Sequence, residues 1–374
     1  MSDGSPLSGA PVSSESPPTA PAAGGDSPAS GGDGKTQAAK FAEALGALRL
    51  GRFSGVLLLL IFIATFAIWI PDTFLTATTA RTIAIESAIT MVLALGALIT
   101  LSSGMFDLSL AQNFGLAAII CVSLITGGTP PLIAIVLTIL IAGAVGAINA
   151  FLVVVAGIES LIATLGMSSV LLAFTAIVSN NQYVGPAPES FSTFVSWQPF
   201  GIPILAIYAI GAAILMWYVL EHTPLGRRVY AVGANPDTAR LSGIPIFRYM
   251  AGALIGGGLI AGLAGSLEAA KLGTISPELG APFLLPTYAA VFLSATQIKP
   301  GRFNVWGLVV SLYLLGTGVK GLVLAGGQLW ITNMFNGIAL IVAVGLAVFF
   351  QRQREARATK RATTAGPATA APEQ

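Results

Sequence analysis

The chain has 374 residues, 55% of them hydrophobic and only 9% charged, and its mean hydropathy is +0.83. A soluble domain carries about a quarter charged residues, so no water-soluble fold of this size could hide so much apolar surface. The formal net charge of +2 is too small for a nucleic-acid-binding surface, and one Cys with one His excludes a disulfide framework and a cluster of soft metal ligands.

Residues 1–34 are almost wholly Ser, Gly, Pro, Ala and Asp, a mixture that cannot bury enough surface to offset chain entropy. This predicts a disordered tail over 1–52. No signal-peptide core opens the chain, so the first apolar run is expected to be a retained helix. Crossing about 30 Å of hydrocarbon at 1.5 Å per residue takes about 20 residues. Candidate helices fall at 53–71, 82–103, 108–127, 131–156, 159–179, 203–220, 248–270, 282–298, 303–325 and 330–350. The runs are continuous rather than alternating, which favours helices over barrel strands. The expected fold is therefore all-α: a polytopic bundle of about ten transmembrane helices over 53–350, with a basic, disordered tail at 351–374. Segments 108–127, which opens on a polar stretch, and 282–298, which holds Pro282 and Pro286, are the two that could be broken or re-entrant.

Ten crossings put both termini on one side, and the positive-inside rule names it. Fifteen of the 18 Lys and Arg residues fall there: Lys35, Lys40, Arg49 and Arg52; Arg227, Arg228, Arg240 and Arg248; Lys299 and Arg302; and Arg352, Arg354, Arg357, Lys360 and Arg361. Only Arg81, Lys271 and Lys320 lie elsewhere. The long segment 180–202 has no Lys or Arg, and its Tyr183 and Trp197 suit an outer interface. Both termini, and the polar loop Glu221 to Phe247, are cytoplasmic on this reading of a multi-pass cell-membrane protein.

Within that loop the order Asn235-Pro236-Asp237-Thr238-Ala239-Arg240-Leu241-Ser242-Gly243 carries helix punctuation. Asn235 is a good N-cap, Pro236 fits the first helical position, Asp237 complements the positive end, and Gly243 supplies a left-handed stop. A helix of at most two turns over 236–242 follows, presenting Arg240 and Leu241. It is too short to be stable alone and needs a surface to dock on.

The stretch from Thr223 to Ile244, TPLGRRVYAVGANPDTARLSGI, resembles the cytoplasmic loop of permease subunits of ribose/xylose/galactoside-type ABC importers. Ser102-Ser-Gly-Met-Phe-Asp-Leu-Ser-Leu110 resembles that family's SGGIDLSVG stretch, and Ile162-Ala-Thr-Leu-Gly-Met167 its IATLGM stretch. The matches span about residues 85 to 350 in the family's order. The resemblance implies a type II-like ABC importer permease, paired with a second copy or a paralogue. It also implies cytoplasmic ABC ATPase subunits that carry ATP and Mg, an extracytoplasmic solute-binding protein, and a coupling-helix role for 235–243. The chain departs from the pattern at Phe106 and Ala111, and at Ser294-Ala-Thr-Gln-Ile-Lys-Pro-Gly-Arg-Phe-Asn-Val305, where the family is Gly-rich. These departures bear on the solute more than on the transport class.

No Walker A sequence occurs, so this chain holds no ATP in the P-loop manner, and no cofactor of its own is expected. The Gly252/Gly256 and Gly258/Gly262 spacings lie in an apolar run and predict close helix packing. Glu86, Asp107, Glu159, Glu268 and Lys320 are the charges near membrane depth, and Glu268 is expected to pair with Lys271. Ser102, Ser103, Asp107, Ser109, Gln112 and Asn113 cluster where a helix breaks. Two readings of that set stand: weak hydrogen-bonding groups that line a substrate pathway, or groups that close a helix hairpin. The function expected is a permease for a monosaccharide or related polyol. The alternatives are an ion-coupled secondary transporter, or a permease of the same architecture for nucleosides or branched-chain amino acids. No Ser/His, His-cluster or paired-Asp constellation in the spans supports an intramembrane enzyme.

Overall fold

A computed structural model describes residues 50–328 and 330–364, with side chains over 53–328 and 330–348. The expected N-terminal tail therefore lies outside the described residues up to residue 49, as do residues 365–374. No strand occurs among the described residues. The helices are α1 Leu50–Trp69, α2 Pro71–Phe74, α3 Ala77–Ser102, α4 Leu110–Thr126, α5 Pro131–Ala150 with a π turn at Phe151–Val155, α6 Ser160–Ser179 and α7 Glu189–Ser196. They continue with α8 Ile204–His222, α9 Pro224–Ala234, α10 Pro236–Leu241, α11 Ile246–Leu272, α12 Ala281–Ser294, α13 Val305–Leu324 and α14 Trp330–Thr364. Local chemistry sets several boundaries. Thr76 Oγ1 accepts from the Thr79 N–H at 3.1 Å and caps α3, proline opens α5, α9 and α10, and Gly273 at φ +67° ends α11.

Among the described residues, seven helices are long and apolar enough to cross a bilayer: α3, α5 with its π turn, α6, α8, α11, α13 and the first part of α14. Three more are apolar but shorter, namely 53–69 of α1, α4 and α12. Together they are the ten segments expected from the sequence. The 14 residues of α12 reach about 21 Å, well short of a hydrocarbon core. Pro286 lies inside that helix and removes one backbone donor. Expectation and structure part at the C-terminal end. Helix α14 runs on to Thr364, so residues 351–364 are helical rather than a disordered tail. The run Gln351-Arg-Gln-Arg-Glu-Ala-Arg357 is made of strong helix formers, and no Gly or Pro interrupts it before Gly366.

Helix α3 is the axis of the bundle. Every residue from Ser87 to Ser102 is buried, as befits a helix that is apolar on all faces. It packs against α4, α8, α11, α12 and α13. Helices α5 and α11 approach closely because α11 presents glycine. A Cβ on Gly258 would lie 2.5 Å from the Ala142 carbonyl oxygen, and one on Gly262 would lie 2.8 Å from the Ile139 Cα. Gly252 and Gly256, expected to pack in the same way, meet nothing within 4 Å. Only half of the small-residue stripe is used within this chain.

Long-range contacts at the two ends agree with the alternation of crossings. At one end the segment 180–202 pairs with 273–275, through Val184 N–H to Ile275 O at 3.0 Å and Ala187 N–H to Gly273 O at 2.8 Å. Arg81 joins this end by donating from Nε to Gly201 O at 3.1 Å. At the other end Glu221 binds Lys299 at 2.6 Å and Arg302 at 3.0 Å. The Tyr230 hydroxyl donates there to Phe303 O at 2.9 Å. The basic loops 221–247 and 295–304 thus share one end, and the loop without Lys or Arg occupies the opposite one.

Candidate functional site

The segment that links α8 to α11 is more ordered than the sequence suggested. Besides the expected short helix it contains α9, three turns that begin at Thr223-Pro224. Thr223 and Pro224 are an N-cap and a first-turn proline, so the signal for α9 was present in the sequence. Asn235 is extended, with φ −159° and ψ 101°; it ends α9 and opens α10 by accepting the Thr238 N–H at 3.0 Å. Pro236 and Asp237 sit in the first turn and Arg240 in the last. Ser242 Oγ donates to Thr238 O at 2.9 Å. Gly243 has φ +75°, and the Ile244 N–H closes onto Ala239 O at 3.1 Å, the geometry of a Schellman stop. The helix ends at Leu241, one residue before the expected limit. Ala239 is buried where α10 rests on α9 and α11, whereas Leu241 is 90% exposed.

Helix α9 joins this capped segment to the interior. A Cβ on Gly233 would overlap the Ser102 carbonyl oxygen and would stand 3.0 Å from the Gly104 nitrogen. Only glycine lets α9 sit so close to the end of α3. Nearby, the Arg302 guanidinium lies 3.6 Å from the centre of the Tyr230 ring. Burial pushes the Tyr230 phenol above its ordinary pKa, and the Arg302 charge opposes that rise. Glu221, Arg302 and Tyr230 therefore tie α9 to the turn before α13. This turn is the stretch in which the sequence departs from the Gly-rich pattern it resembles.

The break between α3 and α4, residues 103–109, is held by side chains from three distant elements. Gly104 turns the chain at φ +84°. The Phe106 N–H donates to Ser160 Oγ at 3.2 Å and the Leu108 N–H to Thr164 Oγ1 at 3.0 Å. The Tyr288 hydroxyl accepts the Asp107 N–H at 3.2 Å and donates to Asp107 O at 2.7 Å. Asp107 Oδ1 receives the Ser109 hydroxyl at 2.6 Å, the Ser109 N–H at 3.1 Å and Asn149 Nδ2 at 3.4 Å. Asn149 Nδ2 also reaches Ser109 Oγ at 2.7 Å. Backbone without helical partners is thereby satisfied inside the protein, as its depth requires.

Of the residues singled out in the sequence, Ser102, Ser103, Asp107, Ser109 and Asn113 are buried around this break, and Gln112 is half-buried. Ser103 Oγ donates to Thr100 O at 2.7 Å, and Asn113 Nδ2 donates to Ala142 O at 3.0 Å. These bonds describe a closed hairpin. Asn149, Ser160, Thr164 and Tyr288 complete it, and sequence reasoning missed all four. Asn149 was visible as a lone amide in an apolar run and Thr164 lies in the Ile162–Met167 stretch, but Ser160 and Tyr288 gave no local signal. The remaining charges are placed simply. Glu268 pairs with Lys271 at 2.9 Å as expected, Glu159 is exposed, and Lys320 reaches Glu86 at 3.5 Å. Among the described residues no group of three or more His, Cys, Asp or Glu side chains could hold a metal ion.

Comparison with known proteins gives a consistent picture. Residues 79–344 match the family model described as branched-chain amino acid transport system / permease component. The chain is 28% identical over 296 residues to the D-allose transport system permease protein of Escherichia coli (strain K12), covering 79% of this chain and 91% of that protein. It is 31% identical over 270 residues to the autoinducer 2 import system permease protein of Escherichia coli O9:H4 (strain HS), covering 70% of this chain and 82% of the relative. The autoinducer 2 permease protein of Shigella flexneri matches to the same extent. No solved structure matches the chain.

Proposed function

This chain belongs to the branched-chain amino acid transport system / permease component family, and on that premise we propose how it moves its solute. It is the cell-membrane permease subunit of an ATP-binding-cassette importer for a sugar. The solute we favour is a monosaccharide or a related polyhydroxylated molecule, in keeping with the D-allose and autoinducer 2 systems to which the relatives belong. ATP is hydrolysed on a separate subunit, a solute-binding protein delivers the load from outside, and a second permease copy completes the pathway. No ATP site on this chain enters the mechanism.

The observation that carries the coupling assignment is the seat of residues 235–243. A helix of six residues, capped at both ends, offers Arg240 and an almost fully exposed Leu241 to the basic side. Through Ala239 and α9 it leans on the Ser102 carbonyl at the end of α3. A push from an ATPase would pass along α9 to the break at 103–109, the place where the α3–α4 hairpin can rearrange. Only a ligand with different affinity for two states can bias them, so ATP must act through such a contact. We place Ser102, Ser103, Asp107, Ser109, Gln112 and Asn113 at the inner closure of the pathway, where the bonds of Ser103, Asp107, Ser109 and Asn113 are exchanged for solute contacts when it opens. Replacement of Arg240 by Glu, or deletion of residues 236–242, should abolish uptake while the protein still inserts in the membrane. Normal uptake by either variant would overturn the coupling role.

A further inference from the structure

A second polar site lies far from the α3–α4 break, in the outer half of the bundle. A cavity of about 120 Å³ opens where α3, α12, α13 and α14 converge, with Glu86, Ser87, Thr90 and Asn336 on its wall beside Leu312 and Leu315. This is many times the space one water needs. Ser87 is 4% and Asn336 6% exposed, yet Ser87 Oγ and Asn336 Oδ1 have no hydrogen-bond partner. Thr90 donates to Glu86 O at 3.2 Å, which leaves its oxygen free to accept. Buried polar atoms left unpaired cost stability and call for an explanation, and a pathway that fills and empties supplies one. Pro286 of α12 also lines the cavity, and as a proline inside a helix it leaves one backbone carbonyl of that helix without its usual donor.

We infer that this cavity is a transient binding station for a neutral, polyhydroxylated solute on its way inward, with Ser87 and Asn336 as its specificity-determining contacts. A hydroxyl and an amide offer both donors and acceptors to a sugar edge, while Leu312 and Leu315 face the C–H surface of the ring. The one charge on the wall, Glu86, is engaged by Lys320 at 3.5 Å, so the groups left over for a ligand are neutral. Contacts of this kind are weak and exchangeable, as conduction through a pathway requires. The inference rests on the transport reading above and names the residues that its solute would meet first.

Two measurements separate the station from that reading. Cysteine introduced as Ser87→Cys or Asn336→Cys should react with a small membrane-impermeant thiol reagent added from outside. A mixture of pentoses and hexoses should slow the labelling, and leucine should not. In the complete complex with its ATPase and binding protein, Ser87→Ala and Asn336→Ala should lower sugar uptake per ATP hydrolysed about five- to tenfold, as loss of one hydrogen bond predicts. Thr82→Ala, one turn away on α3, should not. Absence of labelling, equal protection by leucine, or unchanged uptake per ATP in both alanine variants would overturn the station and leave the importer intact. Sugar protection in a complex that imports no sugar would keep the station and overturn the transport reading.

Discussion

Asp107 shows what one residue must accomplish at a helix break inside a membrane protein. Its backbone exchanges two hydrogen bonds with a single tyrosine hydroxyl, and its carboxylate gathers Ser109 and Asn149. Tyr288→Phe would leave both backbone groups without that partner. It should destabilise the solubilised protein by about 1–3 kcal/mol in thermal or denaturant unfolding.

At the scale of elements, the coupling segment depends on its caps. A helix of six residues cannot persist on propensity, and Asn235 supplies the bond that starts it. Asn235→Ala should cost about 1 kcal/mol locally and Asn235→Ser much less, so uptake should fall in the first and largely recover in the second. The glycines of α11 divide in the same testable way. Gly258→Leu must displace the α5 backbone and should lower stability by about 1–3 kcal/mol, whereas Gly252→Leu meets open space and should leave stability unchanged. The caps were legible in the sequence because they are local: Asn-Pro-Asp at one end and Gly243 at the other act on atoms within four residues. Which half of the glycine stripe would pack was not legible, because it depends on where α5 lies.

For the whole molecule, the pairing of 221–247 with 295–304 and of 180–202 with 273–275 gathers the basic loops at one end of the bundle and sets the loop without Lys or Arg at the other. Cysteine placed as Leu241→Cys should react with an impermeant reagent only after cells are opened. Cysteine placed as Tyr183→Cys, on the exposed outer segment, should react in intact cells. The reverse pattern would invert the bundle and remove the coupling segment from any cytoplasmic motor.

The sequence by itself determined the ten apolar segments and the gathering of the basic loops at one end of the bundle, opposite the loop without Lys or Arg. Hydropathy and charge act residue by residue against the bilayer and need no knowledge of neighbours. It also determined the ends of α10, through caps that span a single turn. Only the tertiary structure decided that Asp107, Asn149, Thr164 and Tyr288 meet, that Gly233 lies on the Ser102 carbonyl, and that Ser87 shares a cavity with Asn336. Each of those contacts joins helices far apart in the chain. Interiors are packed closely enough that a shift of one methylene is felt, so such contacts follow from the arrangement of whole helices and not from any local pattern.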